Sequence, residues 1–288
     1  MVEYPGRFVW YELITTDMAT AKAFYADVLG WSARDASTPD LAYTLLISEG
    51  TPVGGLMDLP EEARKLGATP RWMGYVGVDD VDATADRLKR LGGAVYVPPT
   101  NSNIGRSSVV ADPHTATLGL VEGLKPGCPP AELDELGRAS WHELLAADGE
   151  KAFAFYRQLL GWQKGEDVEI GAADTYRLFS AGGQMMGGMR TKNSMEPIPF
   201  WLYYFNIGDI DTAMERVKAR GGQILEGPHK LLDGRWIFRC TDAQGAAFAL
   251  QGTRSQDAIA RAPVSEVGWS TEWGGFSSRG RLVTKPRG

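Results

Sequence analysis

Hydrophobic and polar positions near the start of the chain follow first a strand pattern and then a helix pattern. Residues 10–15 alternate between apolar and polar side chains, which predicts a short strand. The apolar residues that come next recur at helical spacing: Ala21, Phe24, Tyr25, Val28 and Leu29. Asp17 is placed to cap this helix, and Gly30 is placed to end it. Two further apolar runs, 41–47 and 52–57, predict strands around a turn.

The same order of patterns returns in the next part of the chain. Residues 75–78 predict a strand, and Asp80 is placed to cap the helix that follows. The apolar face of that helix consists of Val81, Ala85, Leu88 and Leu91. Closing strands are predicted at 107–112 and 117–122. A strand, a helix and two or three strands therefore form one unit, which favours an α+β fold with helices on one face of a mostly antiparallel sheet.

The whole pattern is then repeated along the chain. Residues 10–31 align without a gap to residues 141–162, and half of the aligned positions are identical. Residues 72–99 align in the same way to residues 201–228. The offset between the copies falls from 131 to 129 residues, which indicates a short loop deletion. The sequence thus predicts a tandem duplication, with four related modules in two domains.

These repeats divide the chain into two domains, a linker and a tail. We expect the first domain at 1–122 and the second at 139–252. Segment 123–138 is rich in Pro and Gly, as is typical of a linker. The tail, 253–288, has little periodicity but contains two Trp and one Phe in EVGWSTEWGGF. One interpretation is a disordered end, and the other is a segment that contacts a partner in a homodimer and alters ligand access.

Composition narrows the class of protein. The 288 residues are 43% hydrophobic and 23% charged, which excludes a wholly disordered chain. A net charge of -6 argues against a general nucleic-acid-binding protein, because phosphate binding requires clustered Lys and Arg. Two cysteines give no disulfide framework, and no apolar run is long enough to cross a membrane. We therefore expect a cytoplasmic protein with no membrane and no nucleic-acid partner.

Several motifs resemble those of one known superfamily. They are D-x-x-x-A-x-x-FY-x-x-x-LGW, W-x-x-Y-V-x-V-D-D-V-D, a Gly-Gly pair and DP-x-x-A-x-L-x-L. This combination resembles the vicinal oxygen chelate superfamily, which contains glyoxalase I, bleomycin-resistance proteins and extradiol dioxygenases. The resemblance covers about residues 8–122 and 139–252. It implies four βαβββ modules that form two glyoxalase/bleomycin-resistance-like domains, each with a curved mixed sheet around a cleft.

The resemblance also implies where a metal would bind. Catalytic members hold a divalent metal through His, Glu or Gln on the first, fifth and last strands of a domain. The matching residues are Trp10, Trp72 or Met73, and Gly119 in the first domain, and Trp141, Trp201 or Leu202, and Ala249 in the second. None of these residues is a usual metal ligand. We therefore expect no metal cofactor at the usual site, although a divalent metal at a displaced site stays open.

Two glutamates are the candidate catalytic residues. Glu12 and Glu143 lie two residues beyond Trp10 and Trp141, so strand alternation places each Glu on the cleft face beside its Trp. Each could bind a ligand or act as a general base whose pKa is raised by an apolar cleft. The alternative is a structural Glu that is hydrogen-bonded to a nearby backbone N–H or Arg.

Other side chains are candidates for ligand binding. Arg106 and Arg235 precede the penultimate strand of each domain and could bind an anionic or carbonyl group, or could form structural salt bridges. His229 lies in a loop that the resemblance places near the cleft mouth. Trp10, Trp72, Trp141 and Trp201 are expected to line the clefts, where indole rings suit flat or apolar ligands. The competing interpretation is that these rings only fill the clefts.

Two functions follow from these observations. The first is a metal-free protein that binds a small apolar or aromatic molecule in an aromatic-lined cleft. The alternative is a lyase, dioxygenase or hydroxylase-like enzyme that uses a displaced metal site, or Glu12 or Glu143 as general base. Whether the protein is an enzyme is left open by the sequence, because this fold is used for several different chemistries.

Overall fold

The structure is a computed structural model and describes residues 5–125, 135–169, 175–194, 196–231 and 233–255. Within these residues the first domain consists of β1 (Phe8–Thr15), α1 (Met18–Leu29), β2 (Ser32–Asp35), β3 (Tyr43–Ser48), β4 (Thr51–Asp58), α2 (Glu61–Lys65), β5 (Arg71–Gly77), α3 (Val81–Arg90), β6 (Ala94–Ser102), β7 (Gly105–Ala111) and β8 (Thr117–Glu122). The second consists of β9 (Ala139–Ala146), α4 (Gly149–Leu160), β10 (Gln163–Glu169), β11 (Thr175–Ala181), β12 (Gln184–Thr191), β13 (Phe200–Asp209), α5 (Ile210–Ala219), β14 (Gln223–Lys230), β15 (Trp236–Thr241) and β16 (Ala247–Thr253).

The described strands form one eight-stranded mixed sheet in each domain. The strand order is β2-β3-β4-β1-β5-β8-β7-β6 in the first domain and β10-β11-β12-β9-β13-β16-β15-β14 in the second. Each half of a sheet is one βαβββ module, and the two modules join through the antiparallel pairs β1–β5 and β9–β13. The predicted α+β fold of four modules is confirmed.

Local signals set the ends of the main helices. The side-chain carboxylates of four aspartates accept hydrogen bonds from backbone N–H groups of the first turn, and these are Asp17, Asp80, Asp148 and Asp209. Gly30 and Gly161 end α1 and α4 with positive φ angles of 73° and 74°, a conformation that is unstrained only for glycine. The predicted caps at Asp17, Asp80 and Gly30 are confirmed. The short helix α2 was not predicted. None of its residues is buried, so its sequence shows no apolar helical spacing.

Alternation along β1 divides its side chains between two faces of the sheet. Trp10 and Ile14 belong to a buried cluster made only of first-domain residues, and we call this side the cleft face. Glu12 shares that side by alternation. Tyr11 and Leu13 belong instead to a large core formed by both domains, and we call this side the interdomain face. The helices α1, α3, α4 and α5 also contribute to the interdomain core, which therefore holds the two sheets together.

Hydrogen bonds cross the interdomain core in a pseudo-symmetric pattern. Trp72 donates from Nε1 to the Tyr25 hydroxyl at 2.9 Å, and that hydroxyl donates to Asp242 Oδ2 at 3.2 Å. In the equivalent set, Trp201 Nε1 donates to the Tyr156 hydroxyl at 3.3 Å, and that hydroxyl donates to Asp112 Oδ2 at 3.4 Å. Burial raises the pKa of both aspartates above the ordinary value. The paired domains thus resemble the two halves of a symmetric dimer.

One contact at the centre of the core differs between the halves. The Tyr11 hydroxyl lies 2.6 Å from His142 Nε2, and His142 Nδ1 lies 2.6 Å from the carbonyl oxygen of Met186. Because a carbonyl can only accept, Nδ1 carries the proton and Nε2 accepts from Tyr11. Burial lowers the pKa of His142 to about 4. The neutral imidazole is therefore part of the packed core.

Parts of the sequence interpretation fall outside these residues. The aromatic segment of the tail lies within 256–288, outside the described residues, so its role in a homodimer stays a prediction. Residues 126–134 of the expected linker are outside them as well. Among the described helices, none is both long enough and apolar enough to span a bilayer.

Candidate functional site

The cleft face of the first domain carries one buried carboxylate with three aromatic neighbours. Tyr43 donates to Glu12 Oε1 at 2.6 Å, and Tyr75 donates to Glu12 Oε2 at 2.6 Å. Trp10 Nε1 in turn donates to the Tyr43 hydroxyl at 3.1 Å. Glu12 is only 4% exposed and Trp10 is fully buried. We call this set the first Trp-Glu-Tyr-Tyr cluster.

Glycines make room for the two tyrosines. A Cβ atom at Gly55 would lie 1.9 Å from the Tyr43 hydroxyl, and a Cβ atom at Gly119 would lie 2.1 Å from Tyr75 Cδ1. Both glycines lie in strands beside the tyrosines, so the rings lie flat over bare backbone. The cluster is therefore specified by small residues as well as by the aromatic ones.

Burial controls the protonation of Glu12. Removal from water raises the pKa of Glu12, and the hydrogen bonds from Tyr43 and Tyr75 oppose this with a smaller effect. Within the part of the chain that the structure describes, no cation forms an ion pair with Glu12. A carboxyl group in this setting holds its proton more tightly than in water.

The second domain contains an equivalent cluster. Strand register matches Trp141, Glu143, Tyr176 and Tyr204 to the four residues of the first cluster. Trp141 Nε1 donates to the Tyr176 hydroxyl at 2.7 Å, and the Tyr204 hydroxyl donates to Glu143 Oε2 at 2.5 Å. We call this set the second Trp-Glu-Tyr-Tyr cluster. The duplication predicted for Trp and Glu therefore extends to two tyrosines.

Two arginines distinguish the second cluster from the first. Arg190 Nε lies 3.0 Å from Glu143 Oε1, and Arg239 Nη2 lies 2.8 Å from both carboxylate oxygens. The matching positions of the first domain, given by the same strand pairs, are Met57 and Val109. Glu143 is therefore ion-paired, whereas the donors to Glu12 in the described part of the chain are neutral. Glu226 also contacts Arg239 at 3.1 Å.

Access to the two clusters also differs. Segment 59–70, which contains α2, packs Leu59, Ala63 and Ala68 against the first cleft cluster. The connection between β12 and β13 in the second domain is four residues shorter, and Trp141 and Phe200 are only partly buried. The net change in offset between the repeats is only two, because the second domain is two residues longer between Trp162 and Tyr176. Among the described residues, the aromatic side chains of the second cleft are therefore more exposed than those of the first.

The placement of two predicted tryptophans is wrong. Trp72 pairs with Leu13 and Trp201 pairs with Leu144, so both indoles lie on the interdomain face. Met73 and Leu202, one residue further along each strand, carry the cleft-facing side chains instead. The reason is the strand register, because Glu12 lies directly opposite Met73. Trp10 and Trp141 do lie on the cleft faces as predicted.

The remaining predicted polar residues do not join either cluster. Arg106 pairs with Asp82 on the first turn of α3 at 2.6 Å, and Arg235 pairs with Asp233 at 2.6 Å. His229 is exposed and lies 3.4 Å from Glu226. The salt-bridge interpretation of the arginines is the one that these contacts support, with partners in their own loops and helices.

Sequence reasoning missed the tyrosines and the arginines of the clusters. Tyr75 and Tyr204 are an identical pair within the aligned repeats, so that signal was present. Tyr43 and Tyr176 lie where the offset between the repeats changes, which hid their equivalence. Arg190 and Arg239 have no arginine counterpart in the first domain, and repetition could not reveal them.

The residues at the usual metal position do not fit a metal ion. The first-strand position is indole, and the fifth-strand side chains on the cleft face are Met73 and Leu202. The last-strand position, Gly119, lies under the ring of Tyr75. Among the described residues, no three His, Cys, Asp or Glu side chains are grouped closely enough to hold a metal ion. A displaced site would therefore need ligands from elsewhere.

The fold and the duplicated clefts define the class of protein. The family model "Glyoxalase/Bleomycin resistance protein/Dioxygenase superfamily" matches residues 7–118 and 138–250, and the chain belongs to this superfamily. The Mycobacterium tuberculosis protein named "Putative glyoxylase CFP32" is 32% identical over 245 residues, which cover 84% of this chain and 92% of that protein.

Two further proteins extend the comparison. The "Anthracycline biosynthesis protein DauV" of Streptomyces sp. strain C5 is 35% identical over 131 residues, which cover 44% of this chain and 45% of that protein. The crystal structure of the Mn(II)-bound glyoxalase from Novosphingobium aromaticivorans has a TM-score of 0.60 at 14% identity and covers 86% of this chain and 82% of its own. At that identity the structural match supports the fold alone.

Proposed function

We propose that this protein binds a small apolar or aromatic molecule in its second cleft, without the divalent metal that catalytic members of the superfamily use. The observation that carries the proposal is the partly exposed wall of Trp141, Tyr176 and Phe200 beside a buried, paired Glu143. Aromatic walls supply contact area for a flat ligand, and a small number of fixed polar groups orients it.

Electrostatics in the second cleft favour binding over proton transfer. Glu143 accepts hydrogen bonds from Tyr204 and from two arginines, so its lone pairs are already engaged. With its oxygens engaged by these donors, Glu143 is poorly placed to accept a proton from a ligand. Glu143 is instead a fixed polar group beside the aromatic side chains.

The relatives give modest support for an aromatic ligand. The name of DauV assigns that protein to anthracycline biosynthesis, and anthracyclines contain flat fused rings. The residues at the expected metal positions, Met73, Leu202 and Ala249 among them, favour a site that works without a metal.

Binding of a neutral flat probe tests the proposal. 1,8-Dihydroxyanthraquinone should quench tryptophan fluorescence of the purified, untagged protein, and Trp141→Phe should weaken its binding roughly three- to ten-fold, because part of the stacking surface is lost. Trp236→Phe is the matched control, since Trp236 is also partly buried but packs against the interdomain core. Equal affinities in all three proteins would contradict the proposal, as would about one equivalent of bound metal per domain by elemental analysis.

The first cleft favours a second function. The raised pKa of the buried Glu12 is the observation that supports a lyase or related enzyme with Glu12 as general base. In that case Glu12→Gln should abolish turnover while leaving ligand binding within a few fold. Turnover that survives Glu12→Gln would remove this alternative.

A further inference from the structure

A single arginine lies at one end of the first cleft. Arg71 begins β5 and pairs with Ile14, so it shares the cleft face with Met73 and Tyr75. It is partly buried, and the cleft-face cluster beside it is apolar. A cation in this position requires an explanation, since burial without a counter-ion is unfavourable.

Within residues 5–255, so far as the structure describes them, no carboxylate forms an ion pair with Arg71. Its Nη1 donates to the carbonyl oxygen of Thr69 at 3.3 Å, and its Nε is buried without any hydrogen-bond acceptor. The acidic side chains of the nearby helix α2, Glu61 and Glu62, pair with Lys65 at 3.3 and 2.9 Å instead. Among the described residues, therefore, nothing neutralises this guanidinium.

Desolvation dominates the surroundings of Arg71. Burial lowers the pKa of Arg71 below its ordinary value, and the neighbouring Tyr75 opposes this with a smaller effect. By contrast, Arg239 of the second cleft is held by Glu143 and Glu226. A buried donor with no acceptor is rare in folded proteins and points to a missing partner.

The position is specific to the first domain. The repeat alignment places Phe200 at the position of Arg71, and Phe200 contributes to the aromatic wall of the second cleft. The unpaired cation is thus not a general feature of the fold. It accompanies the one cleft that has segment 59–70 over it.

Helix α2 is the least buried part of segment 59–70, which is held to the cleft mainly through Leu59. Helix α2 buries none of its own residues, and Leu66 at its end is 90% exposed. Pro60 provides no side-chain cap. Segments with few buried contacts open at low cost in free energy. Displacement of this segment would expose Arg71 together with the apolar cleft behind it.

We propose that Arg71 anchors the anionic oxygen group, a carboxylate or a phosphate, of a small molecule that enters the first cleft beneath segment 59–70. The planar guanidinium donates from several N–H groups and suits both of these anions. The apolar cleft face would contact the uncharged part of the molecule. This inference rests on the proposed ligand-binding function and extends it to the first cleft.

Calorimetric titration with a charged probe and its neutral counterpart tests the proposal. 2-Naphthoate should bind the full-length protein at least about ten-fold more tightly than 2-naphthamide, and Arg71→Met should remove that preference, as expected for loss of a charge-assisted hydrogen bond. Inorganic phosphate should compete with 2-naphthoate in the unchanged protein. Arg106→Met is the control, because Arg106 is paired with Asp82 and should leave the preference intact.

The outcomes separate this inference from the proposed function. Equal preference for 2-naphthoate in the unchanged protein and in Arg71→Met would overturn the role of Arg71, and so would the absence of any preference. Arg71→Gln provides a second variant if Arg71→Met does not fold. If Trp141→Phe keeps the affinity of the unchanged protein for 1,8-dihydroxyanthraquinone while Arg71→Met loses its preference for 2-naphthoate, the anchor in the first cleft stands and the proposal for the second cleft fails.

Discussion

The two clefts share a Trp-Glu-Tyr-Tyr cluster but place its carboxylate in opposite electrostatic surroundings. Glu12 is buried among neutral donors, and its pKa is raised. Glu143 is equally buried but is bound by Arg190 and Arg239. Two side chains per domain make this difference, since Met57 and Val109 occupy the arginine positions in the first domain.

The comparison teaches how a duplicated fold can divide its chemistry. The backbone and the aromatic frame are retained in both halves, so geometry alone does not distinguish the clefts. Charge on the neighbouring strands does distinguish them, because Glu143 forms ion pairs with two arginines whereas burial raises the pKa of Glu12. A covering segment over the first cleft adds a difference in access.

Neutralising each glutamate should give the largest difference. Glu143→Gln leaves two arginines partly buried without their anion, and we expect the free energy of unfolding to fall by about 3–5 kcal/mol. Glu12→Gln removes an unpaired carboxylate and should change it by no more than about 1 kcal/mol, because no cation loses a partner. Urea unfolding followed by circular dichroism measures both. Similar losses in the two variants would show that the electrostatic contrast is wrong.

The contact between Tyr11 and His142 should give the next largest effect, as a dependence on pH. His142 has a pKa of about 4 in the folded protein against an ordinary value of 6.5, so the unfolded chain takes up its proton first as pH falls. The contribution of neutral His142 to the free energy of unfolding is fully present above pH 6.5. It is lost as the pH falls toward 4, by about 3 kcal/mol in total.

Unfolding of His142→Gln measured between pH 7 and pH 4 checks this dependence. The buried carboxyl groups Glu12, Asp112 and Asp242 titrate with the opposite sign, so the quantity of interest is the difference between the variant and the unchanged protein. That difference should shrink as pH falls. His229→Gln, at an exposed position, is the control. A constant difference would contradict a neutral His142 in the core.

Removing one tyrosine hydroxyl from each cluster should give the smallest effect. Tyr75→Phe takes one of two donors from Glu12 and should cost about 2 kcal/mol, whereas Tyr204→Phe leaves Glu143 with two arginines and should cost about 1 kcal/mol. Chemical denaturation of the two variants gives the comparison. A larger loss in the free energy of unfolding for Tyr204→Phe than for Tyr75→Phe would contradict this prediction.

Much of the fold could be predicted because its signals are local or repeated. Helix caps such as Asp17 and Gly30 act on adjacent backbone groups, and the duplicated motifs state the module boundaries twice. Alternation also placed Glu12 beside Trp10 correctly, because the period of a strand is two residues. The candidate site was only half predicted, since its tyrosines and arginines come from different strands.

The sequence by itself determined the duplication, the four modules and the cleft-facing Trp and Glu of each first strand, since these depend on local periodicity and on repetition. Only the tertiary structure decided that Trp72 and Trp201 face the interdomain core, because the register between β1 and β5 fixes which side chain lies opposite Glu12. It also decided that Arg190 and Arg239 meet at Glu143, while the buried Nε of Arg71 finds no hydrogen-bond acceptor among the described residues. Those relations depend on distances between strands, which residue order along a chain does not specify.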